Sequence, residues 1–329
     1  MTSSALFVFD DGTTPTVQQV PLSGLHGNGD TLVRIHWSAI NYKDALAVSG
    51  TGKIVRGSFP FVPGIDMAGE VVSSESDLWQ PGDAVLMTGW GLGETMWGGY
   101  STFQKLPSDK LLRIPDGFSM RHAMIAGTAG LTAMLGVLAL ERHGRAPSAG
   151  DVLVTGSSGG VGSFAVMALS HAGFNVVAAT GSPDAGDYLR ALGASDVVGR
   201  QQFEEGAARP LDSARWSGAI DSVGGATLAN ILSTTDRHGC VAACGLVGGH
   251  DLSTTVFPFI LRGIQLIGID SNTCPNDLRE VAWSRLADLA GHHDMDAMSR
   301  TVRLDQIPEA CQDVLSGRSR GRLVVDLTT

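Results

Sequence analysis

Three polar clusters in the first hundred residues carry the side chains best suited to chemistry. The first, Asn41-Tyr42-Lys43-Asp44, opens the apolar stretch Ala45-Leu46-Ala47-Val48. An amide beside a phenol can polarise a carbonyl and deliver a proton. Equally, Asn41 or Asp44 can cap a helix, with Tyr42 a half-buried aromatic whose hydroxyl finds a partner. The second, Pro63-Gly64-Ile65-Asp66-Met67-Ala68-Gly69, sets a carboxylate between glycines near the start of a strand, where a turn aspartate is an equally good account. The third, from Thr88 through Trp90, Glu94 and Trp97 to Gly99, is a loop too long and apolar for a simple turn and suited to walling a pocket.

A fourth stretch offers a phosphate site. Asp151-Val152-Leu153-Val154 enters Thr155-Gly156-Ser157-Ser158-Gly159-Gly160-Val161-Gly162, and the apolar run Phe164 to Leu169 follows. Strand, glycine turn and helix in this order make a dinucleotide-binding crossover. Gly159 would let backbone approach a pyrophosphate, Gly162 would let the helix press on the sheet, and the helix N-terminus would supply N–H donors. Ser157 stands where the first glycine is expected, and a ligand-free tight turn is the competing reading. About 20 residues on, where such a unit ends its second strand, comes Asn175-Val176-Val177-Ala178-Ala179-Thr180-Gly181-Ser182. Hydroxyls there, instead of the carboxylate that would bind a ribose 2′-hydroxyl, leave room for a 2′-phosphate with Arg200 as counter-ion. NADPH is favoured over NADH. Asp184, the rival acidic residue, lies past Pro183 and reads as a loop residue or helix cap.

The elements that must position these groups fall into two patterns. Residues 1 to about 122 are short strands separated by Gly and Pro turns (Leu6–Phe9, Leu32–Trp37, Ala68–Val72, Ala84–Met87, Tyr100–Phe103), a β module resembling a partly open barrel. Residues 123 to 270 alternate strand and helix, which implies a parallel, doubly wound sheet. Beyond 271, two helices (Asp277–Leu289, Ile307–Leu315) and a closing strand, Arg322–Asp326, complete the first module. The expected fold is therefore α/β: a β-rich domain of residues 1–122 and 271–329 around an inserted nucleotide domain of residues 123–270.

The 329 residues are ample for two domains. A net charge of −10 argues against a broad nucleic-acid surface. The uncharged run Ala123–Leu140 contains three glycines and stands alone, so a buried helix is expected and no membrane span. No secretory pattern opens the chain, making the cytoplasm the default. Cys240, Cys244, Cys274 and Cys311 form no paired C-x-x-C motif, so no disulfide framework or zinc lobe is expected. The first module lacks cysteine, and His26, His36 and His122 are scattered, so no catalytic metal is expected either.

Taken together, these motifs, with Gly127-Thr128-Ala129-Gly130, Ala219-Ile220-Asp221-Ser222-Val223-Gly224-Gly225 and Cys240-Val241-Ala242-Ala243-Cys244-Gly245-Leu246, resemble the zinc-free, quinone-oxidoreductase-like branch of the medium-chain dehydrogenase/reductases, and within it the acrylyl-CoA reductases. The resemblance implies a GroES-like catalytic domain around a Rossmann domain and a homodimer joined near Gln265–Ile269. It further implies NADPH-dependent reduction of acrylyl-CoA, a small CoA thioester, to propanoyl-CoA. By position, Tyr42 would lie by the nicotinamide and Ser158, Gly159, Gly160 and Val161 by the pyrophosphate. Thr180, Gly181, Ser182 and Arg200 would lie by the adenosine phosphate, and Leu246, Ile260 and Ser271 along the nicotinamide side. Relatives often carry arginine where this chain has Ser182, which softens the expected NADP preference. Asn41 and Tyr42 are the expected catalytic pair, with Tyr42 or a water as proton source. Lys53, Arg56 and Arg262 are candidates for the CoA phosphates, each also readable as an ordinary surface cation. Reduction of a quinone or enal is the rival activity, and NADPH binding without catalysis the rival of another class.

Overall fold

Alternating burial along the strands builds the first of two compact units, Met1–Thr128 with Asn272–Thr329, seen in a computed structural model that describes residues 1–25, 29–144, 146–205, 207 and 209–328. His26 lies outside the described residues. The chain runs through β1 (Thr2–Phe7), β2 (Thr16–Pro21), β3 (Thr31–Ile40), α1 (Tyr42–Ser49), β4 (Asp66–Ser74), β5 (Ala84–Thr88), β6 (Phe103–Leu106) and β7 (Leu112–Arg113). Val33 and Ile35 on β3, Met67 and Val71 on β4 and Val85 and Met87 on β5 are buried at every second or fourth residue, the period of a sheet with one face on a core. Each such side chain contributes about 1.5–3 kcal/mol by leaving water.

Helix α2 (Met120–Arg142) follows, bent at Gly127, whose φ of 50° and ψ of −153° are outside helical values. It is long and apolar enough to cross a bilayer, but 94% of its most apolar window is buried inside the protein. The boundary between the units falls within it, after Thr128. The return crossing follows Ser271. The expected boundary at 122/123 came too early because apolarity begins at Ala123, whereas Ala123–Ala126 pack with the first unit, before the bend at Gly127.

The second unit, Ala129–Ser271, holds β8 (Val152–Val154), α3 (Gly160–His171), β9 (Val176–Thr180), α4 (Gly186–Ala191), β10 (Asp196–Gly199), α5 (Gln201–Glu204), β11 (Trp216–Asp221), α6 (Gly225–Thr234), β12 (Thr235–Ala243), α7 (Phe257–Arg262) and β13 (Gln265–Gly268). The sheet order is β10-β9-β8-β11-β12-β13, parallel throughout. Counted within the unit this is 3-2-1-4-5-6, the doubly wound dinucleotide-binding order. Every residue of β8, β9 and β11 is buried, as expected of parallel strands covered on both faces.

The chain then returns to the first unit through α8 (Asn276–His292), β14 (Ser299–Arg303), α9 (Ile307–Leu315) and β15 (Arg322–Asp326). β15 pairs antiparallel with β3, placing Leu323 opposite Ile40, within a seven-stranded sheet of order β14-β15-β3-β4-β5-β7 to which β6 adds on β3.

Candidate functional site

In an open parallel sheet, ligands lie beyond the carboxyl ends of the strands where the order reverses, here between β8 and β11. The turn after β8 is made by Gly156, whose φ of 59° is left-handed; a Cβ there would meet Ser222 Oγ at 2.4 Å. The turn role expected at Ser157 thus falls one residue earlier. Ser157 is buried instead, its hydroxyl within 2.7 Å of Val154 O and 2.9 Å of Ala179 O, tying the turn to β8 and β9. At Gly162 a Cβ would sit 2.3 Å from Gly156 O and 2.5 Å from Ser157 Cα, so the close approach that this glycine allows is to the turn, while α3 packs on β8 and β9. No side chain caps α3, which leaves the N–H groups of its first turn, with half-buried Gly159, Gly160 and Val161, for another acceptor.

At the end of β9, Ser158 Oγ lies 3.0 Å from Thr180 Oγ1 and 3.5 Å from Ser182 Oγ, and Ser182 N–H donates to Thr180 Oγ1 at 3.1 Å. Arg200 joins them: its N–H donates to Thr180 O at 2.9 Å, and a Cβ on Gly181 would meet its Cδ, Nε and Cζ at 2.6–2.9 Å. The guanidinium therefore lies across Gly181, in space only glycine leaves. Asp184 is exposed in the turn between Ser182 and Ala185 and precedes the start of α4. Uncapped helix donors, three hydroxyls and a guanidinium whose Nε lies 2.8 Å from Glu204 Oε1 fit a nucleotide bearing a 2′-phosphate.

Asp221 is a functional candidate that the sequence alone does not single out. It is buried at the end of β11, accepts from Thr155 Oγ1 at 2.5 Å and Gly224 N at 2.8 Å, and so joins the turns after β8 and β11. Burial pushes its carboxyl above the ordinary range. A strand ending in Asp just before Gly224 and Gly225, both at positive φ, was the available signal. Of the expected nicotinamide-side residues, Ser271 takes a 2.7 Å hydrogen bond from Thr132, while Leu246 and Ile260 are exposed, in the loop after β12 and on α7. None of the three belongs to the hydroxyl cluster. Arg262 corrects an expectation: its guanidinium donates to Ser233 O at 2.8 Å, to Thr235 O at 2.9 Å and to Asp212 O, closing the carbonyl end of α6. It is a helix-end clamp, committed to backbone and not free for a phosphate.

In the first unit, Asn41 and Asp44 form a capping box that starts α1 at Tyr42. Asn41 spends both amide hydrogens internally, on Asp44 Oδ2 at 3.0 Å and Asp66 Oδ2 at 2.9 Å, and its Oδ1 accepts from Arg322 Nη1 at 3.1 Å. The donors that a carbonyl-polarising role would need are already used, so Asn41 orients the helix that presents Tyr42. Asp66 also takes Thr128 N–H at 2.9 Å and Thr128 Oγ1 at 2.5 Å, with Arg322 Nη2 3.8 Å away. Asp44, Asp66 and Arg322 are 0%, 0% and 3% exposed. Burial, then the neighbouring Asp66, push the Asp44 carboxyl up to about 7 against the hydrogen bonds it accepts from Asn41 and Ile65. Tyr42 itself is 39% exposed.

Lys43 and Arg56 share the buried Glu94, at 2.9 and 2.8 Å; Lys53 is exposed. The Gly-Trp loop is pinned. Trp90 holds a left-handed φ of 54°, donates its backbone N–H to Asn272 O at 2.9 Å and has the Lys110 ammonium and the Arg279 guanidinium over its ring, 4.3 and 5.1 Å from the ring centre. Arg279, buried, in turn donates to Thr88 O, Asn272 O and Cys274 O.

Comparison with known proteins matches residues 27–116 to the alcohol dehydrogenase GroES-like domain and residues 160–288 to the zinc-binding dehydrogenase domain. Within either unit alone, no three described His, Cys, Asp or Glu side chains bring their ligand atoms together. The acrylyl-CoA reductase of Ruegeria pomeroyi is 46% identical over 96% of this chain and 95% of its own. A Bacillus subtilis protein, provisionally named a quinone oxidoreductase, is 43% identical over 95% of this chain and 93% of its own. Its crystal structure, with NAD bound, superposes at a TM-score of 0.95 over 99% of this chain and 100% of that one. A Salmonella enterica oxidoreductase in complex with NADP matches at a TM-score of 0.95 and 44% identity over the whole of both chains.

Proposed function

Since the chain belongs to the quinone-oxidoreductase-like branch of the medium-chain dehydrogenase/reductases, we propose that it reduces the α,β-double bond of acrylyl-CoA, or a related short enoyl-CoA, with NADPH. The observation that carries the cofactor is the cluster of Ser158, Thr180, Ser182 and Arg200, which offers donors and a cation where NAD-binding chains place a carboxylate. Similarity at 46% identity over 96% of the chain to an acrylyl-CoA reductase supports the substrate.

The bound nicotinamide supplies a hydride. An enoyl thioester withdraws electrons from its β-carbon, so the hydride adds there, charge gathers on the thioester oxygen, and the α-carbon takes a proton. The first turn of α3 would hold the pyrophosphate, and the hydroxyl cluster with Arg200 would hold the 2′-phosphate. Tyr42, presented by the Asn41–Asp44 cap, donates to the thioester oxygen or carries the proton. Leu246, Ile260 and Ser271 are assigned by family position to the nicotinamide side.

A homodimer is part of the same reading. β13 is the edge strand of its sheet, and beside it Val256, Phe257, Ile260 and Leu261 are 45–68% exposed, an unpaired edge next to an apolar patch. A substrate panel tests the activity. NADPH oxidation should be efficient with acrylyl-CoA and crotonyl-CoA and weak with a free quinone or enal. Comparable efficiency on the quinone would favour the rival reductase, and NADPH binding without turnover on any of them would favour a binding protein.

A further inference from the structure

Arg200 already has an anionic partner. Its Nε lies 2.8 Å from Glu204 Oε1, one helical turn along the chain on α5. The same side chain crosses Gly181 beside the Ser158, Thr180 and Ser182 hydroxyls, which fixes the pair at the edge of the proposed 2′-phosphate site. We propose that Glu204 is a specificity-determining residue, an anion that competes with the ribose 2′-phosphate for Arg200 and so narrows the preference for NADPH over NADH. This rests on the nucleotide reading above and adds a residue to it.

The charges make the case. Ser182 is neutral, so Arg200 is the one cation in the cluster, and Glu204 cancels it. A 2′-phosphate arriving there meets a guanidinium with its Nε edge occupied and a carboxylate within hydrogen-bond distance of that edge. To bind, it must displace Glu204 or share Arg200 with it against repulsion. NADH brings a neutral ribose hydroxyl to the same place, which a carboxylate does not repel and can accept from, so Glu204 does not weaken its binding. The two side chains are 68% and 50% exposed, and exposed ion pairs of this kind hold weakly enough to exchange partners. Water screening also limits the effect to about two- to fivefold in Kd.

The test is calorimetry on the full-length protein with NADPH, NADH, 2′,5′-ADP and 5′-AMP, comparing wild type with Glu204→Gln, which keeps size and removes charge. NADPH and 2′,5′-ADP should tighten about two- to fivefold while NADH and 5′-AMP do not tighten. In an Arg200→Ala background the Glu204→Gln effect should vanish. No change for the phosphorylated pair, an equal change for all four, or persistence without Arg200 would overturn the proposal and leave nucleotide binding standing. Wild type that binds neither NADPH nor NADH would overturn the nucleotide reading itself.

Discussion

Replacing Asp44 by Asn should change how stability depends on pH, and in the direction opposite to most carboxylates. A salt-bridged acid usually stabilises more as pH rises, because its folded value lies below the unfolded one. Asp44 is raised, from an ordinary 3.8 to about 7, by burial first and the Asp66 charge second. The folded protein therefore keeps a proton that the unfolded chain releases between about pH 4 and pH 7. Stability falls as pH climbs through that window and is level above it.

Each pH unit inside the window is worth at most about 1.4 kcal/mol. Between pH 5 and 7, where the folded protein itself begins to ionise Asp44 as pH nears about 7, about 1–2 kcal/mol of loss is expected for wild type. Asp44→Asn removes this titration. It also turns an amide NH2 toward the Asn41 or Ile65 N–H that Asp44 now accepts, a pH-independent cost of about 1–3 kcal/mol. The variant should thus be the less stable protein at pH 5, with the gap closing by about 1–2 kcal/mol by pH 7.5. Urea unfolding followed by tryptophan fluorescence measures it, since Trp37, Trp79, Trp90, Trp97 and Trp283 all lie in the first unit. A gap that is constant or widens with pH would refute a raised Asp44.

Tyr42→Phe should lower kcat about tenfold or more, the scale of a lost proton donor, with NADPH affinity within about twofold of wild type; equal turnover removes Tyr42 from the chemistry. Gly162→Ala should weaken NADPH binding by about tenfold or more, because a Cβ 2.3 Å from Gly156 O forces α3 off the turn. Calorimetry showing unaltered affinity would mean that the turn yields without cost.

Local pattern made much of the fold legible. β8, β15 and α9 lie at the expected residues, because uninterrupted aliphatic runs and a helix-period stripe bounded by turn residues leave little choice. β2 and β14 were not foreseen: Thr16–Pro21 is almost wholly exposed and Ser299–Arg303 buries only Val302, so neither carries an alternation to read. The strand expected at Tyr100–Phe103 begins instead at Phe103, since the Tyr100 backbone is spent outside that ladder, its N–H on Pro63 O and its C=O on Leu6 N–H.

At the carboxyl ends of β8, β9 and β10, the clustering of the hydroxyls with Arg200 is readable because they occupy the ends of neighbouring strands at a familiar spacing. The Asn41–Asp66–Arg322 network was not. Asn41 and Arg322 are 281 residues apart in sequence, and only the pairing of β15 with β3 brings them together. Arg262 was misjudged for a related reason, since its three backbone acceptors come from segments nearly thirty and fifty residues away.

The most direct test of hydride transfer to an electron-poor double bond is to run the reaction with NADPH carrying deuterium at the transferred position, acrylyl-CoA as acceptor, and mass spectrometry of the product. One deuterium on the carbon β to the thioester of propanoyl-CoA, with the α-carbon proton drawn from solvent, is the predicted result. Propanoyl-CoA without that label, or no product while NADPH binds, would contradict it.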